Sequence, residues 1–295
     1  MNRILPVVYA CAIALGLPQQ SLAGVWTQSE HGYYLKLSGL SFTTTEELDP
    51  DGVSLDRPGD GELTDNSLSA YLEYGLSDRL TLVASLPYKN LEDTRFVGGR
   101  QNGVAAVESS SGFGDLETRL RWLLQTDPVV LSLAVGGKVP TGYEVLTSTR
   151  VPLGTGEFDA DARLLAGHSF YPLPLYTTAE LGYRKRGGRF SDEILFSAEA
   201  GYTIGRLMLK ANMSGVRTLG DCGDAGQGGG LIGDQNTFKV SPGAIYSVRP
   251  HLQLSLDTIS VANGCNAATG RLSSPASPSN DNNCRTTSTC EGVIG

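Results

Sequence analysis

Ionisable side chains occupy alternate positions in several segments of this sequence, most clearly in residues 115–122. There, Asp115, Glu117, Arg119 and Arg121 alternate with Leu116, Thr118, Leu120 and Trp122. Segments with the same alternation add Asp159, Asp161, Arg163, Glu180, Arg184, Glu199, Lys210 and Asp257. Successive side chains of a strand point to opposite faces, so all of these groups are expected on one face of a sheet.

Two interpretations of this charged face stay open. The face could be a pore wall that selects small solutes by their charge. It could equally be a network of ion pairs that fills a narrow, closed lumen, because the interior of a small barrel is occupied by side chains.

Catalytic interpretations of the same residues are weaker. Asp159 and Asp161 could suggest a glycosidase pair, but their spacing puts both on one strand face beside Arg163, where ion pairing explains them better. The three histidines, His31, His168 and His251, are too scattered for a nucleophile–base pair or a metal site. The sequence therefore predicts a protein that is not an enzyme and that uses no cofactor and no metal.

Three loop segments have simple interpretations. The acidic loop 49–60 lacks the spacing of a calcium-binding loop and is expected to be solvated. The glycine-rich run 226–230 is expected to be a flexible linker, since no helix or lysine follows as in a phosphate loop. The basic residues Arg184, Lys185, Arg186 and Arg189 are expected in a solvated loop, with lipopolysaccharide phosphates as the alternative ligand.

The elements that carry these residues are predicted to be strands. Alternating segments occur at 32–43, 67–74, 80–86, 116–122, 129–138, 157–168, 175–184, 193–202, 207–216, 237–247 and 252–261. The links between them are alternately short and long, which is typical of an outer-membrane barrel with tight periplasmic turns and long external loops. Several aromatic residues near strand ends lie on the same face as the apolar residues, as expected for the aromatic girdles at the two membrane interfaces. They are Tyr33, Tyr74, Trp122, Tyr183 and Tyr202.

The predicted fold class is therefore all-β, an antiparallel up-and-down transmembrane β-barrel of about twelve strands, of which eleven are legible. A closed barrel leaves no unpaired backbone edge in hydrocarbon. The alternative is a secreted β-sandwich that binds ligands, which would also alternate apolar and polar residues. The mean hydropathy of −0.11, with 37 glycines in 295 residues, suits a barrel whose two faces differ in polarity.

The ends of the chain differ from this pattern. Arg3, the apolar run 4–17 and the sequence Ser-Leu-Ala at 21–23 are typical of a Sec-type signal peptide cleaved near Ala23. The expected domains are thus a signal peptide (1–23), a barrel (24–263) and an atypical, disordered tail (264–295). No alternating run follows residue 265, so the hypothesis is that the last strand was lost or altered, by a frameshift near 264–271.

Four cysteines lie after the predicted cleavage position: Cys222, Cys265, Cys284 and Cys290. Export permits disulfides, and four cysteines allow three complete pairings. Cys222 and Cys265 both fall in predicted external loops, so a bridge between them is one expectation.

Several segments resemble a known family of outer-membrane barrels. They are Tyr74-Gly-Leu-Ser-Asp-Arg-Leu-Thr-Leu82, Ser85-Leu-Pro-Tyr88, Gly112-Phe-Gly-Asp-Leu-Glu117, Lys138-Val-Pro-Thr-Gly142 and Phe170-Tyr-Pro-Leu-Pro-Leu175. Together they are similar to the family labelled after the meta-pathway of phenol degradation. The resemblance implies a membrane barrel and uptake of aromatic or other small hydrophobic compounds, with no catalytic residues.

The expected location is the outer membrane of a Gram-negative bacterium. The expected partners are outer-membrane lipid, lipopolysaccharide, the barrel assembly machinery and a small-molecule solute. Nucleic acid is excluded as a partner because the net charge is −8. The predicted function is a passive channel, with a non-conducting structural barrel as the alternative.

Overall fold

The computed structural model describes residues 8–16 (backbone only), 24–97, 104–145, 151–222 and 233–269. Sixteen strands lie in these ranges. In chain order they are β1 (Val8–Gly16), β2 (Tyr33–Thr44), β3 (Glu46–Leu48), β4 (Ser54–Asp56), β5 (Glu62–Ser77), β6 (Leu80–Val97), β7 (Val104–Phe113), β8 (Leu116–Gln125), β9 (Val130–Val139), β10 (Asp159–Ser169), β11 (Leu175–Lys185), β12 (Glu193–Ile204), β13 (Leu207–Thr218), β14 (Asn236–Arg249), β15 (Leu252–Cys265) and β16 (Ala267–Thr269).

Twelve of these strands form one closed antiparallel ring. Strands β8 to β15 each pair with the next long strand, β15 pairs with β1, and β1 pairs with β2. The ring closes through β2 with β5, β5 with β6 and β6 with β8. This architecture confirms the predicted up-and-down barrel and shows that the sandwich alternative is wrong.

The alternation in the sequence decides which side chains face outward. On β8, Trp122 is 58% exposed on the outer surface, whereas the neighbouring Arg121 is buried inside. Exposed apolar side chains surround the barrel, among them Leu37, Leu68, Leu72, Leu120, Val135, Leu164, Leu181, Leu209, Met213, Leu254 and Leu256. The outer surface is therefore apolar and the inner surface polar, as in transmembrane barrels.

The place of the twelfth strand is taken by β1, which lies within the predicted signal peptide. Its residues pair along their length with both β2 and β15, as in Ala12 with Ser38 and with Ser255. At the long-loop rim, the short strands β16 and β3 also pair across this seam. Asn266 N donates there to the Asp49 carbonyl at 3.2 Å. Cleavage near Ala23 stays a prediction, and it would remove β1 and leave β2 and β15 without a partner at this seam.

Two expectations about irregular segments are wrong. The long link expected between the segments 80–86 and 116–122 is largely a hairpin, because β6 continues to Val97 and pairs with β7 from Tyr88–Phe113 to Val97–Val104. Strands that pair beyond the barrel rim do not need an apolar face. The alternation of apolar and polar residues therefore did not indicate this hairpin. The predicted start of the disordered tail at residue 264 is also wrong. β15 continues to Cys265, and Ala267–Thr269 form β16. Residues 270–295 lie outside the described ranges.

A disulfide joins Cys222, after β13, to Cys265, at the end of β15. The two Cα atoms are 6.2 Å apart. The bond ties neighbouring loops at the long-loop rim, whereas Cys284 and Cys290 lie outside the described residues. Within the described part of the chain, no helix is long and apolar enough to cross a membrane.

Candidate functional site

The twelve ionisable residues of the predicted inner face all point into the barrel, and every one takes part in an ion pair. The most enclosed of them is Asp161, whose side chain has no exposed surface. Its oxygens lie 2.8 Å from Arg119 Nε, 3.0 Å from Arg163 Nε and 3.7 Å from Arg184 Nε. One carboxylate thus holds three guanidinium groups from three strands, β8, β10 and β11.

Two further carboxylates complete this arrangement, which we call the arginine cluster (Glu117, Arg119, Asp161, Arg163, Glu180 and Arg184). Glu117 lies 2.7 Å from Arg119 and 3.6 Å from Arg184, and Glu180 lies 2.7 Å from Arg163. The cluster contains three cations and three anions and is therefore neutral. Charges paired at this distance inside a barrel fill space and hold strands together.

A second group of ion pairs lies towards the long-loop rim. Lys138 Nζ contacts Asp115 at 3.1 Å and Asp159 at 3.0 Å, and Arg186 contacts Glu193 at 2.8 Å. The sequence reasoning missed Lys138 and Glu193, although both have the inward parity of their strands.

The interpretation of residues 184–189 as a solvated basic loop is wrong for two of its members. Arg184 and Arg186 turn inward to buried carboxylates, whereas Lys185 points outward, where it contacts Asp192 at 3.1 Å, and Arg189 is exposed. The reason is strand geometry: β11 continues to Lys185, so alternate residues face opposite sides.

A loop covers part of the lumen at this rim. Val151 and Leu153 pack on Leu91 and Tyr143, and Lys89 Nζ donates to the Leu153 carbonyl at 2.7 Å. The hydroxyl of Tyr143 donates to Asp115. Burial, followed by this hydrogen bond, raises the pKa of Tyr143 above its ordinary value, so the side chain stays neutral and acts as a donor.

At the short-turn rim, residues 24–31 form what we call the N-terminal segment; residues 24–28 lie inside the barrel, and Glu30 and His31 are exposed at the rim. Arg121 Nη1 donates to the Gly24 carbonyl at 2.6 Å, and Arg121 Nη2 lies 2.7 Å from Glu73. Gln28 Nε2 donates to the same carboxylate at 2.8 Å, and Gln28 N donates to Thr81 Oγ1 at 2.8 Å. The buried Glu73 thus contacts Gln28 of the segment and Arg121 of the barrel wall, and in this way it holds the segment against the wall.

The apolar part of the N-terminal segment packs on the neighbouring strands β9, β10 and β11. Val25 is buried against Ala134 and Leu165, and Ser132 Oγ donates to the Val25 carbonyl at 2.6 Å. Trp26 meets Tyr176 edge to face, with ring centroids 6.1 Å apart. The sequence reasoning missed this element, because eight residues without strand or helix periodicity carry no local signal of insertion.

The N-terminal segment depends on a glycine in the wall. A Cβ at Gly75 would lie 1.9 Å from the Ser29 carbonyl oxygen. We predict that Gly75→Ala displaces the segment and exposes a Val25→Cys thiol to a water-soluble maleimide. Labelling is expected to be at least about tenfold faster, which corresponds to a loss of about 1.4 kcal/mol in docking.

The matched control for that experiment is Gly39→Ala. A Cβ at Gly39 would meet only Leu68 Cδ2 at 3.6 Å, an ordinary contact. The Val25→Cys thiol is expected to stay protected in this control. Equal labelling rates in the Gly75 and Gly39 variants would contradict the proposed close approach.

The rest of the barrel wall, formed by β12 to β15, carries fewer inward charges than β8 to β11. Lys210 Nζ lies 3.0 Å from Asp257 and 3.7 Å from Glu199. Tyr176 donates to Glu199 at 2.6 Å. The contacts of the N-terminal segment described above lie on the other side of the barrel, on β5, β6 and β8 to β11.

The other candidate residues form no catalytic or metal group among the described ranges. His31 Nδ1 lies 3.2 Å from the Tyr74 hydroxyl, and His168 Nδ1 lies 2.9 Å from the Pro128 carbonyl. In the acidic loop, Asp49 Oδ1 accepts bonds from the backbone N–H groups of Asp51 and Val53. The glycine-rich run 226–230 lies outside the described residues.

Comparisons with known proteins give a limited likeness. No family model and no curated protein matches this sequence. An outer membrane channel from Pseudomonas putida F1 is similar at 13% identity and a TM-score of 0.48, covering 88% of this chain and 96% of that one. The P. putida toluene transporter TodX is similar at 12% identity and a TM-score of 0.39, covering 90% and 89%. The monoaromatic hydrocarbon channel CymD is similar at 9% identity and a TM-score of 0.33, covering 92% and 89%.

Proposed function

We propose that this protein is an outer-membrane channel through which small solutes diffuse passively. The observation that carries the proposal is the reversed polarity of the closed ring, with apolar residues outside and ionisable residues inside. An apolar outer surface is stable in a bilayer, and a closed ring leaves no backbone edge to hydrocarbon.

The route that we propose runs along β12 to β15. The arginine cluster and the N-terminal segment occupy the lumen beside β5 to β11, where Glu73, Thr81 and Ser132 have no exposed surface. Inner side chains of β13 and β14 are less enclosed, and Lys239 is exposed, whereas Leu195 on β12 and Asp257 on β15, which flank them, are buried. A solute would therefore pass beside the filled half of the lumen, and the long loops would control access to it.

We propose further that the protein is inserted in the outer membrane, and that lipid, lipopolysaccharide and the barrel assembly machinery are its partners. The resemblance of residues 74–82 and the related segments supports aromatic or other small hydrophobic compounds as the solute class. The extent of ion pairing favours a second candidate, a structural barrel that does not conduct.

Two measurements test the function. The unheated protein is expected in the outer-membrane fraction and to migrate faster in SDS gels than the boiled protein, because a paired barrel resists SDS. Purified protein in planar bilayers is expected to give discrete conductance steps. Recovery in the soluble fraction would contradict the membrane barrel, whereas heat-modifiable protein without conductance would support the structural alternative.

A further inference from the structure

Three lysines line or adjoin the proposed route, and we call them the lysine row (Lys36, Lys210 and Lys239). Lys210 on β13 and Lys239 on β14 lie within the route, and Lys36 on β2 lies beside it, across β1. Strand register places all three inside the barrel. Lys239 pairs with Ser214, which lies four residues from the inward Lys210. Lys36 pairs with Tyr71, which lies two residues from the inward Glu73. Directly paired residues share a face of the sheet, so the three ammonium groups face the lumen.

Lys239 is the most accessible member of the row. Its neighbour Phe238 stacks on Phe196 outside the barrel, with centroids 6.3 Å apart, which confirms that Lys239 points inward. Its side chain is nevertheless exposed, so the lumen beside it is open to water. Among the described residues it forms no hydrogen bond or ion pair, and its paired neighbours in register are Ser214 and Val261, which are uncharged.

Lys36 is half-buried and likewise has no hydrogen bond or ion pair with a described side chain. It lies within electrostatic range of Lys210, Glu199 and Asp257. The adjacent strand β1 has the sequence Val-Tyr-Ala-Cys-Ala-Ile-Ala-Leu-Gly and supplies no carboxylate. The lysine row therefore has three cations beside two carboxylates, a net charge of +1, whereas the arginine cluster on the other side is neutral.

We infer that the route along β12 to β15 is an anion path and that the preferred solute carries a carboxylate or an equivalent single negative charge. An ammonium group with no carboxylate partner, in water but between low-dielectric walls, attracts anions and repels cations. The inference rests on the proposed channel function and adds the charge of the solute to it.

The first test measures the reversal potential of single channels under a KCl gradient. The unmodified protein is expected to pass Cl⁻ in preference to K⁺, and Lys239→Glu is expected to lower the permeability ratio at least about threefold. Replacing lysine by glutamate changes the charge at this position by two units. Acting on an ion about 7 Å away through screened water, that change alters the permeability ratio by about this factor. Lys36→Gln is expected to lower the ratio by less, because it removes a single charge.

The matched control is Lys185→Gln, which removes an exposed lysine from the outer surface. It is expected to leave the permeability ratio unchanged. A conducting protein without Cl⁻ preference, or a Lys239→Glu channel with an unaltered ratio, would overturn the anion path while leaving the channel function intact. A loss of selectivity in the Lys185 control equal to that in Lys239→Glu would also overturn it.

A second measurement does not depend on conduction. A Ser214→Cys thiol would lie beside Lys239 and is expected to react faster with a negatively charged thiosulfonate than with a positively charged one. The preference is expected to reverse in the Ser214→Cys, Lys239→Glu double variant. Equal rates for both reagents would overturn the inference even if the barrel proved not to conduct.

Discussion

Arg121→Ala is expected to release the N-terminal segment and to destabilise the barrel. The Arg121 side chain is 3% exposed and is the cation beside Glu73, which has no exposed surface. Its removal leaves that carboxylate buried with only the neutral donors Gln28 and Tyr71. Breaking a buried ion pair from one side costs about 3–5 kcal/mol.

Two measurements check this prediction. The temperature at which the folded band converts to the unfolded band in SDS gels is expected to fall. Single-channel conductance is expected to rise, because the Gly24 carbonyl loses its anchor and the segment leaves the lumen. Arg206→Ala, in the exposed turn between β12 and β13, is the control and is expected to change neither quantity. Unchanged conductance in a folded Arg121 variant would mean that the segment does not narrow the lumen.

Asp161→Asn is expected to have the second large effect, on stability alone. The substitution keeps the size of the side chain but removes the negative charge that Arg119, Arg163 and Arg184 share. The arginine cluster would then carry three cations and two anions in an enclosed space. The expected loss is about 3–5 kcal/mol, measured as a lower urea midpoint for unfolding of the barrel in detergent.

The control for this second prediction is Asp192→Asn at the outer rim. Hydrogen bonds from Tyr183 and from the Arg186 N–H lower the pKa of Asp192, so its side chain is ionised at neutral pH. Its ion-pair partner Lys185 is 70% exposed, and ion pairs at the surface contribute little to stability. The urea midpoint of the Asp192 variant is expected to match that of the unmodified chain. Equal shifts in both variants would mean that the burial of Asp161 has no special effect.

Much of the inner surface could be predicted because strand alternation is local. Once residues 115–122 are assigned to a strand, the parity of Arg119 and Trp122 decides which of them faces inward. The ion-pair partners could not be predicted in the same way. Arg119 and Asp161 are 42 residues apart and meet only because β8 and β10 each pair with β9.

The position of the N-terminal segment, by contrast, could not be predicted from local sequence patterns. Its anchors to Arg121 and Ser132 join residues 97 and 107 positions apart. No periodicity or motif in residues 24–31 indicates that they enter the lumen. Their position depends on the inner wall of the barrel. The buried Glu73 accepts a hydrogen bond from the segment, and the lack of a Cβ at Gly75 leaves room for its backbone.

The sequence alone determined eleven of the barrel strands, their two faces and twelve of the inward ionisable residues, because each depends on neighbours a few residues apart. The tertiary structure decided how the ring closes at β1, which charges pair, and which side of the lumen is filled. Those properties depend on contacts between distant strands. The neutral arginine cluster and the partly unpaired lysine row have similar sequence patterns, and only the closed barrel separates them.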